Sequence, residues 1–352
     1  MKLSDARATV AAQNQTEPAL VIAANLFRAL FGRGAAKMSV RKSGARGAFR
    51  RAVRWVPDAV LLLAVAGCWA AAFRGGLAGG VAWYALHLLV PLLGLALLLV
   101  CAAYAVRKRR FGLPVSTTTL LALVAVWPLC WNFELLLVKY PVSINRAQPS
   151  AAVRLPADVP LRVAWGGDSL DVNYHVSYPD QRWAYDLTVE PSFNGSARLE
   201  DYGCWGVPVV APASGWVVRA HDGEPDETPG AVSNNLDAPA GNHVVVGLPT
   251  GTYLEVAHLQ RGSVSVKEGD PVEEGQPLGR CGNSGNTSEP HIHIHHQRQH
   301  PDFGEGILVE GLPLYFRDHD GPPMPEGGFR EEGGRAVPKG AVVRHAGPRP
   351  GL

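Results

Sequence analysis

Apolar and polar positions follow different rhythms in different parts of the chain. Between residues 58 and 140 charged positions nearly vanish. Three apolar runs succeed one another there: 59–73, extendable through a Gly-rich stretch to Gly80; 81–106; and 113–131. The second and third contain no charged residue. Crossing a hydrocarbon core of about 30 Å takes ~20 apolar residues in a helix. The pattern therefore predicts three transmembrane helices within 58–140. The first run is the shortest and spans only if Arg74 reaches the interface along its aliphatic stem. Apolar stretches in the core helices of soluble proteins usually stop near ~14 residues, which disfavours a buried hairpin.

From about Arg154 the rhythm shortens. Segments 162–165, 183–189, 215–220, 243–248, 253–259 and 291–295 are β-rich and are separated by Gly, Pro and Asn turns. They predict an all-β or β-dominated domain. Pro249-Thr250-Gly251 reads as a hairpin turn between two of these strands. The 20-residue acidic loop 222–241, with three Pro, reads equally well as a functional rim or as a disordered insertion. Beyond Phe316 the chain is Gly/Pro-rich and reads as a loose tail. The predicted organisation is an N-terminal segment over 1–57, three membrane helices over 58–140, a linker and first strand over 141–165, a β domain over 166–316, and a tail over 317–352.

Charge turns this layout into an orientation. The net charge of +2 is an average over unlike parts. Residues 1–57 carry 11 basic and 2 acidic side chains, residues 58–140 carry 6 and 2, and residues 141–352 carry 16 and 27. A single uniform globular enzyme is excluded by that split, and a wholly disordered chain by an apolar content of 47%. Arg41, Lys42, Arg46, Arg50, Arg51 and Arg54 precede the first run, and Arg107–Arg110 are all basic between the second and third. Only Arg74 lies between the first and second. The positive-inside rule then places the N-terminus in the cytoplasm and everything after Tyr140 outside, with Trp55, Trp127 and Trp131 as interfacial anchors. Residues 20–31 read as a short amphipathic helix. No cleavable signal peptide is apparent, and Met38 is a candidate translation start.

Five Cys exclude a disulfide-dense mini-protein. Cys68, Cys101 and Cys130 fall in or beside the apolar runs. Cys204 and Cys281 fall in the predicted outer domain, where oxidation is allowed, and their pairing is left open. No CxxC spacing suggests structural zinc.

The chemistry concentrates in His. Pro290-His291-Ile292-His293-Ile294-His295 alternates strictly, so on a strand His291, His293 and His295 share a face. Neutral imidazoles so placed can converge on a metal, and a solvent-facing His cluster is the plainer alternative. The surroundings favour the metal. Gly206-Val207-Pro208-Val209-Val210-Ala211-Pro212 leads into Gly215-Trp216-Val217; Gly241-Asn242-His243-Val244, Ala257-His258-Leu259 and the Gly269–Gly279 segment follow; then come Gly282–Glu289 and the Pro-His-x-His terminus. In that order these motifs, over roughly 172–296, resemble the lysostaphin/LytM-type zinc endopeptidases.

That resemblance implies a β-sheet, barrel-like peptidase fold holding one Zn²⁺. It implies His293 and Asp186 as ligands, and His258 and His291 as catalytic residues. Where most members place a first His ligand four residues before the Asp, this chain has Arg182, which cannot ligate zinc. The Asn-x-His…Gln-Arg-x-Ala-x-Asp arrangement resembles a variant of the family, and His175 is the candidate replacement. A four-residue loop 177–180 would set His175 across a hairpin from Arg182, on the same face. His175 as a plain strand residue beside a degenerate site is the alternative.

The implied reaction is metal-assisted amide hydrolysis, with a fourth zinc position for water. One of His258 and His291 would take the water's proton and the other would stabilise the oxyanion, the assignment being open. No HExxH helix is present. Asn283 and Asn286 are expected to shape the turn before the ligand strand. His221, His243, His296 and His300 are expected at the surface, and His295 beside the ligand face. The resemblance implies the peptide part of bacterial peptidoglycan as substrate, cut by a domain on the outer side of the cytoplasmic membrane. No organic cofactor and no nucleic-acid partner are expected, and protein partners are left open. The rivals are a metal-free binding or regulatory module of the same fold and, on the 266–272 segment, a biotinyl/lipoyl-type carrier. Retention of Asp186, His258, His291 and His293 weighs against the first. The position of Lys267 before the Gly-Asp turn weighs against the second.

Overall fold

The computed structural model describes residues 55–109, 113–132, 137–303, 308–333 and 335–347. The basic residues Arg41 to Arg54, Arg110, the 20–31 segment and Met38 lie outside the described residues. The chain divides into two compact units. One is built mainly from helices up to Ala72 and over Val81–Leu136, the other mainly from Leu137–Leu352.

The apolar runs are helical: α1 (Val56–Arg74), α2 (Gly76–His87), α3 (Leu89–Lys108), α4 (Leu113–Val126) and the single turn α5 (Leu129–Asn132). By length and composition, Val56–Arg74 and the nearly continuous Gly76–Lys108 are long enough to cross a membrane, whereas Val115–Trp131 is shorter. The first run gains length because the helix begins at Val56, with Pro57 in its first turn, where a missing N–H costs nothing. The third run loses length at Pro128, which cannot continue a helical hydrogen-bond ladder. Trp131 differs from the expected interfacial anchor. It is 7% exposed and stacks on Trp83 at 5.3 Å. Trp55 and Trp127 are exposed.

The second unit is β-dominated. Its main sheet has the order β15-β2-β3-β10-β7-β6-β5-β8, with β11 also on β10. In chain order these are β2 (Leu161–Trp165), β3 (Tyr185–Thr188), β5 (Gly215–His221), β6 (Asn242–Gly247), β7 (Tyr253–Leu259), β8 (Pro271–Val272), β10 (Ile292–Gln297), β11 (Gly311–Leu312) and β15 (Val342–Val343). The predicted hairpin turn joins β6 to β7, with Gly251 at φ 75°, the left-handed position such a turn needs.

Strand β10 sits between β3 and β7, so its alternation organises the domain. Ile292 and Ile294 enter the core with Val244, Val246, Leu254 and Val256, all 0% exposed. Each such side chain contributes roughly 1.5–3 kcal/mol of burial. His293 and His295 face the other way. His296 shares the parity of the two Ile and corrects the expectation of a surface residue. It is 1% exposed, with its Nδ1 at 3.2 Å from the Pro313 carbonyl and its Nε2 at 2.7 Å from Thr252 Oγ1.

Two further expectations change. Residues beyond Phe316 are not a loose tail: β13 (Phe329–Glu332) pairs with β14 (Arg335–Pro338), and β15 joins the main sheet beside β2. The short strands escape sequence reading because Gly and Pro frame them and their partners are remote. Cys204 and Cys281 form a disulfide with a sequence separation of 77. By the chain-entropy account such a closure disfavours the unfolded state by about 4 kcal/mol.

Candidate active site

Asp186 and His293 stand directly opposite each other in the β3–β10 ladder. The Asp186 Oδ1 lies 2.8 Å from His293 Nδ1, and its Oδ2 lies 3.1 Å from His175 Nε2. One potential ligand atom from each of these three buried residues falls within 4.8 Å of the others.

His175 reaches this point by a route that differs from the expected hairpin. It lies on a 3₁₀ turn, Tyr174–Ser177, rather than on a strand. Asn173 caps the turn: its side-chain oxygen accepts from the His175 N–H at 3.1 Å, and its amide donates to the carbonyls of Gly167 and Ala184. Arg182 does not lie across from His175. It is wholly buried, donating to the Tyr140 carbonyl and to Asp168 Oδ1, with its guanidinium 4.7 Å from the Trp183 ring.

His258 and His291 flank the trio, their ring centroids 4.7 Å apart. His258 Nδ1 lies 2.8 Å from the Ser284 carbonyl, and His291 Nδ1 lies 2.8 Å from the Glu289 carbonyl. A carbonyl can only accept, so each Nδ1 carries a proton and each neutral ring keeps its lone pair on Nε2. His291 Nε2 is 3.7 Å from Asp186 Oδ1. His258 has φ 60°, a left-handed conformation beside the irregular β6–β7 register, which costs of order 1–3 kcal/mol.

Burial sets the electrostatics. It holds His258 well below the ordinary imidazole range, helped by His291 and His293. It takes His293 down to about 4, against the opposing hydrogen bond to Asp186. Burial would raise Asp186, but the surrounding His175 and His291 outweigh it and hold the carboxyl well below its usual range. The result is two neutral imidazoles and one carboxylate facing a common point. That donor set and spacing suit one Zn²⁺ with a further position open.

The sequence named these five residues, but not their supports. Tyr174 packs its ring 4.0 Å from His175, and its hydroxyl donates to Asp186 Oδ2 at 3.4 Å. Its place beside His175 was the only available signal. His293 Nε2 lies 3.0 Å from His295 Nδ1, and His295 Nε2 lies 2.9 Å from Gln297 Oε1. The parity of β10 puts these three on one face.

The loop 222–241 borders the site. Gly241 and Gly285 meet so closely that a Cβ on Gly285 would lie 2.4 Å from the Gly241 nitrogen. Backbone bonds link Glu227 to Asn283, Ser233 to Thr287 and Asn286 to Pro239. Asn283 is buried and accepts from Thr287 Oγ1 at 2.8 Å, shaping the segment before β10.

Residues 201–303 match the family described as Peptidase family M23. His258, His291 and His293 fall inside that stretch, whereas His175 and Asp186 precede it. Similar solved structures include the catalytic domain of the prophage-encoded M23 protein EnpA from Enterococcus faecalis, in a mutant form. It is 17% identical, with 46% of this chain and 93% of that one covered and a TM-score of 0.31. The catalytic domain of lysostaphin from Staphylococcus simulans is 23% identical, with 39% and 77% covered and a TM-score of 0.25. A zinc-containing peptidase from Vibrio cholerae is 18% identical, with 42% and 36% covered and a TM-score of 0.24. No curated protein matches the chain.

Proposed function

We propose that this protein is a membrane-anchored zinc endopeptidase that hydrolyses peptide bonds of peptidoglycan. The observation that carries the reading is the convergence of His175, Asp186 and His293 between two imidazoles whose Nε2 lone pairs are fixed by backbone carbonyls. Peptidase family M23, matched over 201–303, is typically composed of zinc metallopeptidases acting on peptidoglycan, which supplies the substrate class.

His175, Asp186 and His293 would hold the metal. When bound, Zn²⁺ would polarise the scissile carbonyl and acidify water at the site. His258 or His291 accepts the attacking water's proton on Nε2, and the other, once protonated, donates to the developing oxyanion. Their neutral resting state suits the base. The Ser284 and Glu289 carbonyls keep both rings in the required tautomer. Tyr174 and His295 hold Asp186 and His293 in place.

Anchoring rests on α1 and the α2–α3 run, and orientation on the basic flanks. A Cys204–Cys281 disulfide suits an oxidising compartment outside the cytoplasm. A metal-free regulatory module is the second reading, and the complete set of candidate ligands disfavours it.

The test uses the full chain in detergent, measuring bound zinc and peptides released from purified cell walls. Stoichiometric zinc is expected. His175→Ala, Asp186→Ala and His293→Ala should each lose the metal, with activity falling about 10³-fold or more. A wild type that is metal-free and inert would establish the regulatory reading. Full zinc in His175→Ala alone would remove that residue from the ligand set.

A further inference from the structure

Away from the five site residues, one feature is built largely by the segment beyond Phe316, outside the M23 match. A line of aromatic rings leaves His175. Tyr174 touches Trp165 at 5.2 Å between centroids, Trp165 touches Phe329 at 4.6 Å, and Phe329 touches Phe193 at 4.7 Å. All four rings are half-buried. From His175 to Phe193 the path is under about 19 Å, or five to six residues of extended peptide at ~3.3 Å each.

The line ends in a cleft of about 440 Å³, in the size range of small-ligand sites. Phe193 forms part of its wall, and its charged lining is Arg162, Arg330 and Lys339 against Glu190. Three cations beside one carboxylate stand out in a region, 141–352, with 27 acidic and 16 basic residues. Arg162 pairs with Glu190 at 2.5 Å, and Arg330 with Glu332 at 2.7 Å. The Arg330–Glu332 pair is more than half exposed on both sides and exchanges readily for a stronger anion.

Phe193 is also fixed to the catalytic loop. It holds φ 50°, and its N–H donates to both Glu289 oxygens, at 3.0 and 3.1 Å. The Glu289 carbonyl in turn orients His291. One residue thus ties the cleft wall to the reacting centre.

We propose that this cleft is a distal subsite for a carboxylate of the peptide substrate. The peptide crosses the Tyr174, Trp165 and Phe329 rings and places an acidic group among Arg162, Arg330 and Lys339. This deepens the peptidase reading and rests on it for the identity of the ligand.

The probe is a synthetic alanyl-γ-D-glutamyl-lysyl-D-alanyl-D-alanine peptide, compared with the same peptide amidated at its carboxylates. Binding is measured by calorimetry on the full chain in detergent, stripped of metal so that no turnover intervenes. The free acid should bind about tenfold more tightly, the size of one charge-assisted hydrogen bond. The exposed-site double variant Arg330→Ala/Lys339→Ala should bring the two forms to within about twofold, with the melting curve as folding control. Phe329→Ala should weaken both forms alike. Equal affinities in the wild type, a preference that survives the double variant, or no binding of either form would overturn the subsite. Cleavage of the same peptide after zinc loading is read separately. An intact acid preference without cleavage sinks the peptidase reading and leaves the subsite. Cleavage without the preference does the reverse.

Discussion

The helical unit and the β unit bury opposite kinds of groups. Among the helices, large apolar side chains face outward: Leu63 is 72% exposed, Leu99 72% and Val106 79%. Their interior instead collects small residues and aromatics, with Gly94 against α4 and Trp83 against Trp131. A buried polar pair, Thr118 donating to Asp58, joins α1 to α4. In the β unit the aliphatic residues are inside, and beside them sits a cluster of five imidazoles and a carboxylate that water scarcely reaches. A surface rich in Leu suits lipid, where apolar burial drives nothing and close packing decides association. A buried polar cluster is tolerated only when fully partnered, and such clusters mark functional sites. The difference implies that the two units will fail for different reasons.

The largest expected effect is an acid sensitivity confined to the β unit. Burial takes His296 from the ordinary 6.5 down to about 4. The folded state therefore prefers the neutral ring, and the unfolded chain binds the proton first. The stability this supplies is complete above about pH 6.5 and is lost as pH falls toward 4, amounting to about 3 kcal/mol. Urea melts of the full chain across that range should show the loss, and His296→Gln should flatten it. His258 and His293 act in the same direction in both proteins, so the difference between the two curves isolates His296. Parallel curves would remove the buried-imidazole account.

A somewhat smaller effect is expected at Arg182. It is buried, and burial lowers its pKa despite the Asp168 partner. Arg182→Met should cost about 2 kcal/mol rather than the full cost of a stranded charge, because Asp168 is partly exposed and keeps Lys139 at 2.9 Å and Trp183 at 2.8 Å. The lost contact is the bond to the Tyr140 carbonyl, and the Tyr140 N–H is itself bonded to Val176, next to His175. Zinc affinity should fall about tenfold with stability, as for other residues behind a ligand. Unchanged metal affinity in a destabilised variant would confine Arg182 to a purely structural role.

Arg182 also shows where the sequence was legible. The positions of Asp186, His258, His291 and His293 follow from a two-residue period and a series of motifs, because strand register fixes which side chains meet. His175 was named from its spacing to Asp186. Its 3₁₀ turn was not, since a four-residue loop and a capped turn fit the same Ser177–Asp180 stretch, and only the Asn173 cap distinguishes them. The burial of His296 was readable from its parity with Ile292 and Ile294. The strands after Phe316 were not readable: β15 is two residues long and exists only because β2 offers an edge. Tertiary partners of that kind leave no local trace.

The smallest expected effect tests the other side of the comparison. A Cβ on Gly94 would lie 2.8 Å from the Ala122 carbonyl and 3.0 Å from the Ala125 Cβ, so α3 and α4 touch through backbone there. Gly94→Leu should push the helices apart and cost about 1–2 kcal/mol, with no hydrophobic compensation in a lipid-like solvent. Thermal melts of the full chain in detergent, followed by helical ellipticity, should shift downward. Zinc content and peptide release should hold, since no β-unit residue is touched. A loss of zinc in Gly94→Leu would show that the two units are energetically coupled and that the contrast between them is one of composition only.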